Sequence, residues 1–378
     1  MNNHPTRVRV ALVFGGVSSE HEISCLTAGS AARAIDPERF EVIGIGITAE
    51  GKWVRISPAE LVSYEVHDGQ LPRVSPDRPE AVLLPGADGA HGAHGVEVAT
   101  RHGDRLCDIT GIDVAFALLH GPWGEDGTIQ GLFEMLGVRY VGAGVTASAI
   151  GMDKDLMKRA MAGAGLPVGP WMAITPAQWR DDRAGSLARV GELRFPVFVK
   201  PARGGSSIGI FRVGDPSELE AAILAAQEFD PKVVVEQGFV GVREIELGVL
   251  QDLDGPPRVS LPGEVVMHTS DAFYDFDAKY LPEEQVTLQV PADVSPDLLA
   301  AMQDLAGRTF AAMDVEGLAR VDLFVDADGV PWVNELNTMP GFTRTSMFPM
   351  MWAASGLAYP ELIATLVELA LARPMGLR

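Results

Sequence analysis

The sequence predicts an α/β protein with more than one domain, and three observations carry this prediction. Val8 to Phe14 and Val42 to Ile47 have the pattern of buried strands, and the glycine turn and helix between them complete the βαβ pattern of a parallel sheet. The chain has 378 residues, of which 47% are hydrophobic, so it can bury the cores of two or three domains. Residues 319–336 alternate apolar and polar side chains on both sides of a glycine turn, which is typical of a β-hairpin.

The charge balance narrows the classes of partner. The 51 acidic and 30 basic residues give a net charge of −21, which argues against nucleic acid or an anionic membrane as a partner. A polyanionic substrate would therefore need a local cluster of lysines or arginines. No run reaches the roughly 18 apolar residues of a membrane span, and the first residues lack the pattern of a signal peptide, so we expect a cytoplasmic protein. Cys25 and Cys107 match no metal or redox spacing and are predicted to be buried thiols.

The first strand is followed by a glycine turn that leads into a helix near Ser19. Ser19 and Glu22 have the spacing of a capping box, and we assign Glu22 to that structural role. Glu20 differs, because a carboxylate at the start of a helix is favoured by the helix dipole and can hold the ammonium group of a ligand. Glu20 is therefore a candidate substrate residue.

Ile112 to His120 is predicted to be a further strand, and residues 120–127 turn into a helix with an apolar face. His120 and Glu125 then lie at the carboxyl end of a strand, where open α/β sheets bind ligands. The alternative for His120 is a loop histidine whose hydrogen bonds are satisfied. The preceding stretch, residues 50–105, matches no motif, and His91 and His94 are predicted to lie in a surface loop without a role.

The middle of the chain predicts a phosphate-binding flap. A helix from Ala147 to Ala164 carries Lys154, which taken alone is an ordinary solvated lysine. A strand ending at Lys200 leads into the glycine- and serine-rich loop 201–209, which can bring backbone N–H groups and hydroxyls onto phosphates. A P-loop lysine follows its glycines, whereas Lys200 precedes them, so this is a different kind of phosphate loop.

Two later stretches are candidates for contacts with a nucleotide and for a lid. After a strand at Val233 to Glu236, the side chains of Phe239 and Val240 could lie against a purine, and Glu244 could accept hydrogen bonds from ribose hydroxyls. An ordinary connection between strands is the alternative. Residues 267–284 are aromatic and charged without a helix or strand period, which suits an active-site lid. Ser295 and Pro296 are predicted to start a helix that ends near Met313, and an apolar face near residues 360–372 indicates a packed last helix.

The hairpin carries the strongest chemical signal. If Ala327 and Asp328 form its tip, Asp322 lies opposite Val333 and Glu335 opposite Arg320. One face then groups four polar side chains: Arg320, Asp322, Glu335 and Asn337. Two carboxylates and an amide oxygen form an all-oxygen ligand set suited to Mg²⁺. The alternative is a solvated hairpin with scattered charges, which we disfavour because grouped charges are costly without a ligand.

Several motifs, in one order along nearly the whole chain, resemble those of the D-alanine-D-alanine ligases of the ATP-grasp superfamily. They are GGVSSEHEIS, HGPWGEDGT, YVGAG, MDK, KPARGGSSIG, FYDFDAKY, RVDLF and NELNTMPGFT. The resemblance implies a three-domain ATP-grasp fold. It implies an N-terminal Rossmann-like substrate domain at 1–145, a central subdomain with the phosphate loop at 146–235, and a C-terminal subdomain with hairpin and lid at 236–378.

The resemblance also implies roles for individual residues. ATP would be bound by Lys154, Lys200, Ser207, Glu236, Phe239, Val240, Glu244, Phe273 and Phe324. Two Mg²⁺ ions, with Mn²⁺ as a substitute, would be held by Asp322, Glu335 and Asn337. The two amino acid substrates would be bound by Glu20, His120, Lys279 and Ser346. Catalytic roles would fall to Glu20, Ser206, Tyr280, Arg320 and the N–H of Gly341.

The implied activity is the ATP-dependent joining of two D-alanines through an acyl phosphate, for peptidoglycan precursor synthesis, by a homodimer. Formation of D-alanine-D-lactate is one alternative, and Tyr280 in the lid favours the peptide over this ester. Another ATP-grasp carboxylate-amine ligase would not be expected to carry Glu20, Tyr280 and Ser346 together. An ATP-binding protein without catalytic activity would be expected to lack a metal ligand or Arg320.

Overall fold

The computed structural model describes residues 7–85, 95–205, 208–239, 241–267 and 286–374. Within this part of the chain, helices pack against three β-sheets of eight, four and six strands. Each sheet is formed by a consecutive stretch of the chain. The α/β class predicted from the βαβ pattern is confirmed.

The first sheet has the strand order β6-β5-β4-β3-β2-β1-β7-β8. Its strands are β1 Val8–Gly15, β2 Phe40–Ile47, β3 Trp53–Ile56, β4 Glu80–Pro85, β5 Val96–His102, β6 Arg105–Ile112, β7 Val114–Ala117 and β8 Arg139–Tyr140. Its helices are α1 His21–Ala34, α2 Pro58–Leu61 and α3 Thr128–Leu136. β1 pairs in parallel with β2 and β7, whereas β3 to β6 extend the sheet in antiparallel order. The unassigned stretch 50–105 therefore mainly enlarges this sheet.

The strand predicted from Ile112 to His120 is wrong in its bounds, because the chain changes direction within it. β6 ends at Ile112 and β7 begins at Val114. Asp113 between them accepts hydrogen bonds from the backbone N–H of Arg9 at 2.8 Å and from its guanidinium at 2.8 and 3.0 Å. This ion pair fixes the turn from an antiparallel strand to a parallel one.

The second sheet has the strand order β11-β10-β12-β9 and is antiparallel. Its strands are β9 Trp171–Ile174, β10 Val197–Pro201, β11 Phe211–Val213 and β12 Val233–Gln237. The accompanying helices are α6 Pro176–Asp181, α7 Arg183–Val190 and α8 Leu219–Gln227, with a short 3₁₀ helix at Pro216–Glu218. The two helices that precede β9, α4 Val145–Met152 and α5 Lys154–Gly163, contribute buried residues to the core of the third sheet. Alternate residues of β10 and β12 pack into the core beneath the sheet, so Lys200 and Glu236 lie on its other face.

The single helix predicted from Ala147 to Ala164 is wrong, because the chain breaks at Asp153. Asp153 is extended, with φ −93° and ψ 104°, and its side chain caps α5. The N–H of Lys154 donates to the carbonyl of Ala202 at 2.9 Å, and Lys232 Nζ donates to Asp153 at 2.8 Å. Contacts with a distant strand end thus separate α4 from α5 and place Lys154 beside the loop that follows β10.

The third sheet has the strand order β16-β15-β13-β17-β18, with β14 paired to β13. Its strands are β13 Arg243–Leu250, β14 Arg258–Val259, β15 Gly263–Met267, β16 Val286–Gln289, β17 Leu318–Val325 and β18 Pro331–Asn337. Its helices are α9 Pro296–Ala312, α10 Met347–Ala354 and α11 Tyr359–Ala372. The predicted cap of α9 is confirmed, because Ser295 Oγ accepts a hydrogen bond from the Leu298 N–H at 3.3 Å.

The last helix connects the end of the chain to its beginning. Buried residues of α11, including Ile363 and Val367, belong to the same core as Leu12 and Phe116 of the first sheet. The predicted packing role of this helix is confirmed. In the part of the chain that the structure describes, no single helix has the length and hydropathy to cross a membrane; α10 and α11 together pass that test but meet at 101°.

Both cysteines are free thiols. Cys25 is buried, and burial raises the pKa of its thiol to about 12. Cys107 is only partly buried, so the prediction of a buried thiol holds for Cys25 alone. Cys107 lies on β6, the edge strand of the first sheet, which within the described residues pairs with a neighbouring strand on one side only.

Candidate active site

A cavity of about 370 Å³ lies where the three sheets converge. Its lining includes Glu20, His120 and Glu125 from the first part of the chain and Lys154 and Gly205 from the second. The hairpin and the segment after it supply Arg320, Glu335, Asn337, Gly341 and Ser346. Residues that are more than 300 positions apart in sequence therefore line one space.

The hairpin pairs its strands differently from the prediction. Asp322 lies opposite Glu335 and Arg320 opposite Asn337, not opposite Val333 and Glu335. Two changes cause this. The turn is one residue longer than predicted, and its Gly329 has left-handed backbone angles. In addition, a β-bulge lies opposite the step from Asp322 to Leu323 of β17, where Asn334 is the extra residue in β18.

These two changes compensate each other on the hairpin face. A shift of one residue turns every later side chain to the opposite face, and a second shift turns it back. Arg320, Asp322, Glu335 and Asn337 therefore do share one face, as predicted, although their pairing was predicted wrongly.

Arg320 is the centre of the polar group on this face. Its guanidinium donates to both oxygens of Asp322 at 2.7 Å and lies 3.1 Å from Glu246 Oε2. Burial alone would lower the pKa of Arg320, but the attraction of Asp322 and Glu246 raises it well above its usual value. Arg320 is thus a fixed positive charge in the cavity.

Glu246 is the partner of Asp322 in the ladder between β13 and β17. It was not singled out in the sequence, although its spacing of two from Glu244 places both residues on one strand face.

The hairpin oxygens fit a divalent cation of the Mg²⁺ type. Two carboxylates and one amide lie on the same face, and Asn337 Nδ2 donates to Asp322 Oδ2 at 2.9 Å, which shows that these side chains reach each other. Among the described residues, no three His, Cys, Asp or Glu side chains cluster to hold a metal, and the hairpin set consists of two carboxylates and one amide. Few protein ligands suit Mg²⁺, which keeps water and phosphate oxygens in its shell.

Three lysines meet two carboxylates beside the hairpin. Lys154 Nζ donates to the carbonyl of Gly204 at 3.1 Å and lies 3.4 Å from Glu335. Lys200 Nζ donates to Glu236 at 2.8 Å, and Lys158 Nζ lies 3.4 Å from the other oxygen of Glu236. We call Lys154, Lys158 and Lys200 the lysine cluster. It supplies the local positive charge that a polyanion requires in a protein of net charge −21.

The charges in this cluster are set by the balance of burial and pairing. Burial would raise the pKa of Glu236, but Lys158 and Lys200 lower it to about 2. Burial would lower the pKa of Lys200, but Glu236 raises it above its usual value. For Lys158 burial dominates, and its pKa is lowered despite Glu236. Lys158 was not identified in the sequence, because a lysine one helical turn after another has no distinctive pattern.

An aromatic group lies at one side of the lysine cluster. The ring centroid of Phe239 lies 5.5 Å from that of Phe324 and 5.7 Å from that of Trp332. Glu244 is the partner of Phe324 in the ladder between β13 and β17. Three aromatic rings next to a carboxylate provide a surface for a flat heterocycle. Trp332 was missed, although it faces Phe324 across the hairpin.

Glu20, His120 and Glu125 form what we call the acid corner. The predicted capping box is wrong: Ser18, not Ser19, accepts from the Glu20 N–H at 3.2 Å, and Glu22 binds Arg73 at 2.6 Å. Glycines leave room for the Glu20 carboxylate, because a Cβ at Gly121 would lie 2.8 Å from its Oε2 and a Cβ at Gly205 would lie 3.2 Å from it.

His120 is a buried group of the acid corner, and Glu125 is a partly buried one. His120 Nδ1 donates to the carbonyl of Met339, and its Nε2 lies 3.3 Å from Thr27 Oγ1. Burial lowers the pKa of His120, so the ring is neutral. These contacts match the satisfied histidine, while the ring also lines the cavity. Burial, and next repulsion from Glu20, raise the pKa of Glu125 to about 8. The Gly121 N–H donates to Glu125 at 2.8 Å.

Gly341 and Ser346 line a further wall of the cavity, where the chain enters α10. Ser346 Oγ accepts from the Thr343 N–H at 3.1 Å, and a Cβ at Gly341 would lie 3.2 Å from this oxygen. The start of α10 adds partial positive charge at this wall. Other predicted residues lie outside the described part of the chain: Ser206, Ser207, Val240, Phe273, Lys279, Tyr280 and the rest of the lid.

Comparisons with known proteins agree along the whole chain. The family model for the D-ala D-ala ligase N-terminus matches residues 9–143, and the model for the D-ala D-ala ligase C-terminus matches residues 160–368. A D-alanine-D-alanine ligase of Kineococcus radiotolerans is 52% identical and covers 100% of both chains. One from Mycobacterium ulcerans is 51% identical and covers 98% of each chain.

Solved structures give the same result. The D-alanine-D-alanine ligase from Coxiella burnetii superposes with a TM-score of 0.79 at 32% identity, over 97% of this chain and 94% of that one. The D-Ala:D-Ser ligase VanG from Enterococcus faecalis also superposes with a TM-score of 0.79, at 29% identity, over 97% and 100% of the two chains. The fold is the predicted ATP-grasp fold. The chain belongs to the D-alanine-D-alanine ligase family.

Proposed function

We propose that the protein joins two D-alanines into D-alanyl-D-alanine while it converts ATP to ADP and phosphate, and that the product serves peptidoglycan precursor synthesis. One observation carries the proposal: Lys154 of the lysine cluster, Glu335 and Arg320 of the hairpin, and the acid corner all line one cavity. Phosphates, a divalent cation and an amino acid can therefore be bound side by side. The names of relatives that are more than 50% identical agree with this activity.

ATP is bound between the lysine cluster and the aromatic group in this proposal. Lys154 and Lys200 contact its phosphates, together with Ser207. Phe239 and Phe324 flank the adenine with Val240 and Phe273, while Glu236 and Glu244 accept hydrogen bonds from the nucleoside. Two observed contacts support this arrangement: the hydrogen bond from Lys200 to Glu236 and the packing of the Phe239 ring against the Phe324 ring.

Asp322, Glu335 and Asn337 are proposed to hold two Mg²⁺ ions, with Mn²⁺ as a substitute. When bound, these ions neutralise charge on the phosphates. Lys154 sits 3.4 Å from Glu335, so the hairpin and the phosphate-binding lysines are adjacent before any ligand enters.

The first chemical step makes an activated carboxyl group. Glu20 holds the ammonium of the first D-alanine, whose carboxylate oxygen attacks the γ-phosphorus of ATP. A new O–P bond forms, the bond to the ADP oxygen breaks, and D-alanyl phosphate and ADP result. Lys154 and Lys200 stabilise the negative charge that moves onto the leaving oxygens.

The second step forms the peptide bond. The amine of the second D-alanine, whose carboxylate Ser346 binds, attacks the carbonyl carbon of D-alanyl phosphate. Arg320 and the N–H of Gly341 stabilise the tetrahedral oxyanion, the amine nitrogen gives up a proton, which the departing phosphate can take, and phosphate leaves with the bonding electrons. Lys279, Tyr280 and Ser206 close the lid over the intermediate, and His120 helps to orient the substrate. Excluding water protects the acyl phosphate from hydrolysis.

The organisation of the chain adds further proposals. The proposed boundaries at 145/146 and 235/236 divide it into three units. The change from the first sheet to the second supports the first boundary, whereas 235/236 falls inside β12, so the change of sheet favours a second boundary after Gln237. The homodimer and the cytoplasmic location stay predictions from the sequence.

The direct test is release of ADP across a panel of D- and L-amino acids, with products separated by mass. We expect ADP release with D-alanine, at least tenfold faster than with L-alanine, and one D-alanyl-D-alanine per ADP. The Glu335→Gln variant serves as the inactive control. Release of ADP that depends on a different amino acid, or equally on both enantiomers, would contradict the proposal.

The identity of the second substrate needs its own test, because a D-Ala:D-Ser ligase shares this fold. In competition between equimolar D-alanine, D-serine and D-lactate, we expect the D-alanine product to dominate at pH 7 to 8. A hydroxy acid offers one donor fewer, and an unmade buried hydrogen bond costs about 1 to 3 kcal/mol. Tyr280→Phe should narrow the preference over D-lactate. A mixture dominated by the ester or by the serine product would overturn this choice.

A further inference from the structure

Lys158 lies where the metal hairpin meets the nucleotide site, and the mechanism above gives it no role. It stands one helical turn after Lys154 on α5, and its side chain is only 3% exposed. Its Nζ donates to the carbonyl of Asn334 at 3.3 Å and lies 3.4 Å from Glu236 Oε1. A buried ammonium is stable only where it is paired, so these contacts fix its position.

Asn334 is the residue that the β-bulge inserts into β18. Without the bulge, the single shift at the turn would leave Glu335 and Asn337 on the face away from Arg320 and Asp322. A bulge interrupts the ladder of hydrogen bonds, so its backbone groups need other partners. The ammonium of Lys158 is a partner for the carbonyl of Asn334.

The rest of this strand edge is held from the same side. β18 is an edge strand of its sheet. The N–H of Val333 donates to the carbonyl of Pro167 at 2.8 Å, and the N–H of Leu336 donates to Met157 Sδ at 3.4 Å. Helix α5 and the segment after it therefore take the place of a neighbouring strand along the bulge.

The other contact of Lys158 leads to the nucleotide site. Glu236 accepts from Lys200 on one oxygen and faces Lys158 with the other. A single ammonium thus joins the backbone next to Glu335 to the carboxylate proposed to bind adenosine. Lys154, on the same helix, reaches the side chain of Glu335 itself.

We propose that Lys158 is a positioning residue that fixes the bulge at Asn334 and orients Glu236, so that metal binding and nucleotide binding depend on each other through it. The inference rests on the proposed function, because it takes the hairpin as the metal site and Glu236 as a nucleotide contact. Lys158 touches neither ligand. It acts through the backbone of β18 and through the Glu236 carboxylate.

The test measures ligand binding rather than turnover. Binding of Mn²⁺ by electron paramagnetic resonance and of ADP by calorimetry, each with and without the other, is compared between the wild-type protein and Lys158→Met. We expect Mn²⁺ affinity in the presence of ADP to fall by about 10- to 100-fold, the loss typical when the support of a metal ligand is removed. The strengthening of ADP binding by Mn²⁺ should also shrink, while the KM for D-alanine at saturating ATP and metal stays within twofold.

Two further variants complete the experiment. Lys158→Arg keeps the charge and the donors and should restore part of the coupling, which a purely packing role would not predict. Lys52→Met removes a lysine that also donates to a backbone carbonyl, that of Pro76, but does not line the cavity, and this change should leave binding unchanged. If Lys158→Met does not fold, Lys158→Gln takes its place, because its amide can still donate to Asn334 but carries no charge for Glu236.

The outcomes separate this inference from the function on which it rests. Wild-type affinities in a folded Met or Gln variant would overturn the positioning role alone. If the wild-type protein binds no Mn²⁺ with ADP, the proposed function and this inference both fail. Reduced affinity with coupling restored by Lys158→Arg supports the role.

Discussion

The lysine cluster, whose Lys154 lines the cavity, and the acid corner of the same cavity handle charge in opposite ways. Around the lysine cluster, opposite charges are paired: Glu236 meets Lys158 and Lys200, and Glu335 meets Lys154. In the acid corner, two carboxyl groups approach each other beside a neutral histidine, and the pKa of Glu125 rises to about 8. The first region lowers the pKa of its buried acid, whereas the second raises it.

This difference shows which ligand charge each region can accept. Lys154 and Lys200 are already held by carboxylates, so an entering polyanion must draw these two lysines toward itself while a cation takes up the released carboxylates. The acid corner disfavours a second negative charge and gains stability when an ammonium group enters. Nucleotide with metal suits the first region, and the amino group of an amino acid suits the second.

Breaking the cation-binding side of this comparison should have the largest effect. Glu335→Gln keeps the shape of the side chain but removes a negative oxygen ligand, so kcat should fall by at least roughly 100-fold. The measurement is turnover at saturating Mg²⁺, with circular dichroism to confirm folding. Glu264→Gln, an equivalent change at an ion-paired carboxylate of the same sheet, is the control. Near-normal turnover of Glu335→Gln would rule out the metal assignment.

Weakening the fixed positive charge should have the next largest effect. Arg320→Lys keeps the charge but loses the paired hydrogen bonds to Asp322, so kcat should fall by about 10²- to 10³-fold. Arg243→Lys changes another arginine that binds a carboxylate, Glu264, through two nitrogens, outside the cavity. Equal losses in the two variants would mean that Arg320 acts on stability and not on the reaction.

A change in the acid corner should act on substrate binding. Glu20→Gln removes the charge opposite the substrate ammonium, and the loss of a charged hydrogen bond, about 1.5 to 3 kcal/mol, should raise the KM of the first D-alanine roughly 10- to 100-fold. Steady-state kinetics with varied D-alanine provides the measurement. Glu22→Gln, on the same helix but paired with Arg73, should leave this KM unchanged. A higher KM for ATP alone would argue against the assignment.

The smallest effect concerns stability and pH. Because the folded-state pKa of Glu125 is about 8 against a usual value of 4.5, the folded protein binds this proton more tightly than the unfolded chain does. The stabilising contribution is complete below pH 4.5 and is lost as the pH rises through 8. Glu125→Gln should therefore match the wild-type Tm near pH 4.5 and have a higher Tm than the wild-type protein at pH 9. The corresponding difference in the free energy of unfolding at pH 9 is on the order of a few kcal/mol. A Tm difference that does not change with pH would contradict this.

The hairpin shows how far the sequence determines the structure. Its two strands and the shared polar face follow from residue alternation, which is local information. The register does not, because the bulge at Asn334 is held by Lys158 and Met157 on a helix more than 170 residues earlier. The same holds for the break at Asp153, which depends on Lys232 and Ala202, residues about 50 to 80 positions later in the chain.

The site shows the same division. Glu20, Arg320 and Glu335 were identified because they belong to recognisable motifs, and all three line the cavity. Lys158, Glu246 and Trp332 were missed, since each has an ordinary local pattern and gains its meaning from a neighbour that folding brings close. The capping box of Glu22 failed for the converse reason: the spacing fits, but a distant arginine takes the side chain.

In the proposed reaction, this cavity activates the carboxylate of one D-alanine as an acyl phosphate. The most direct measurement supplies D-alanine with ¹⁸O in its carboxylate, together with ATP and Mg²⁺, and determines the mass of the phosphate released. If the carboxylate oxygen attacks the γ-phosphorus, one ¹⁸O passes into each phosphate that accompanies a dipeptide. Formation of D-alanyl-D-alanine with unlabelled phosphate would contradict the account.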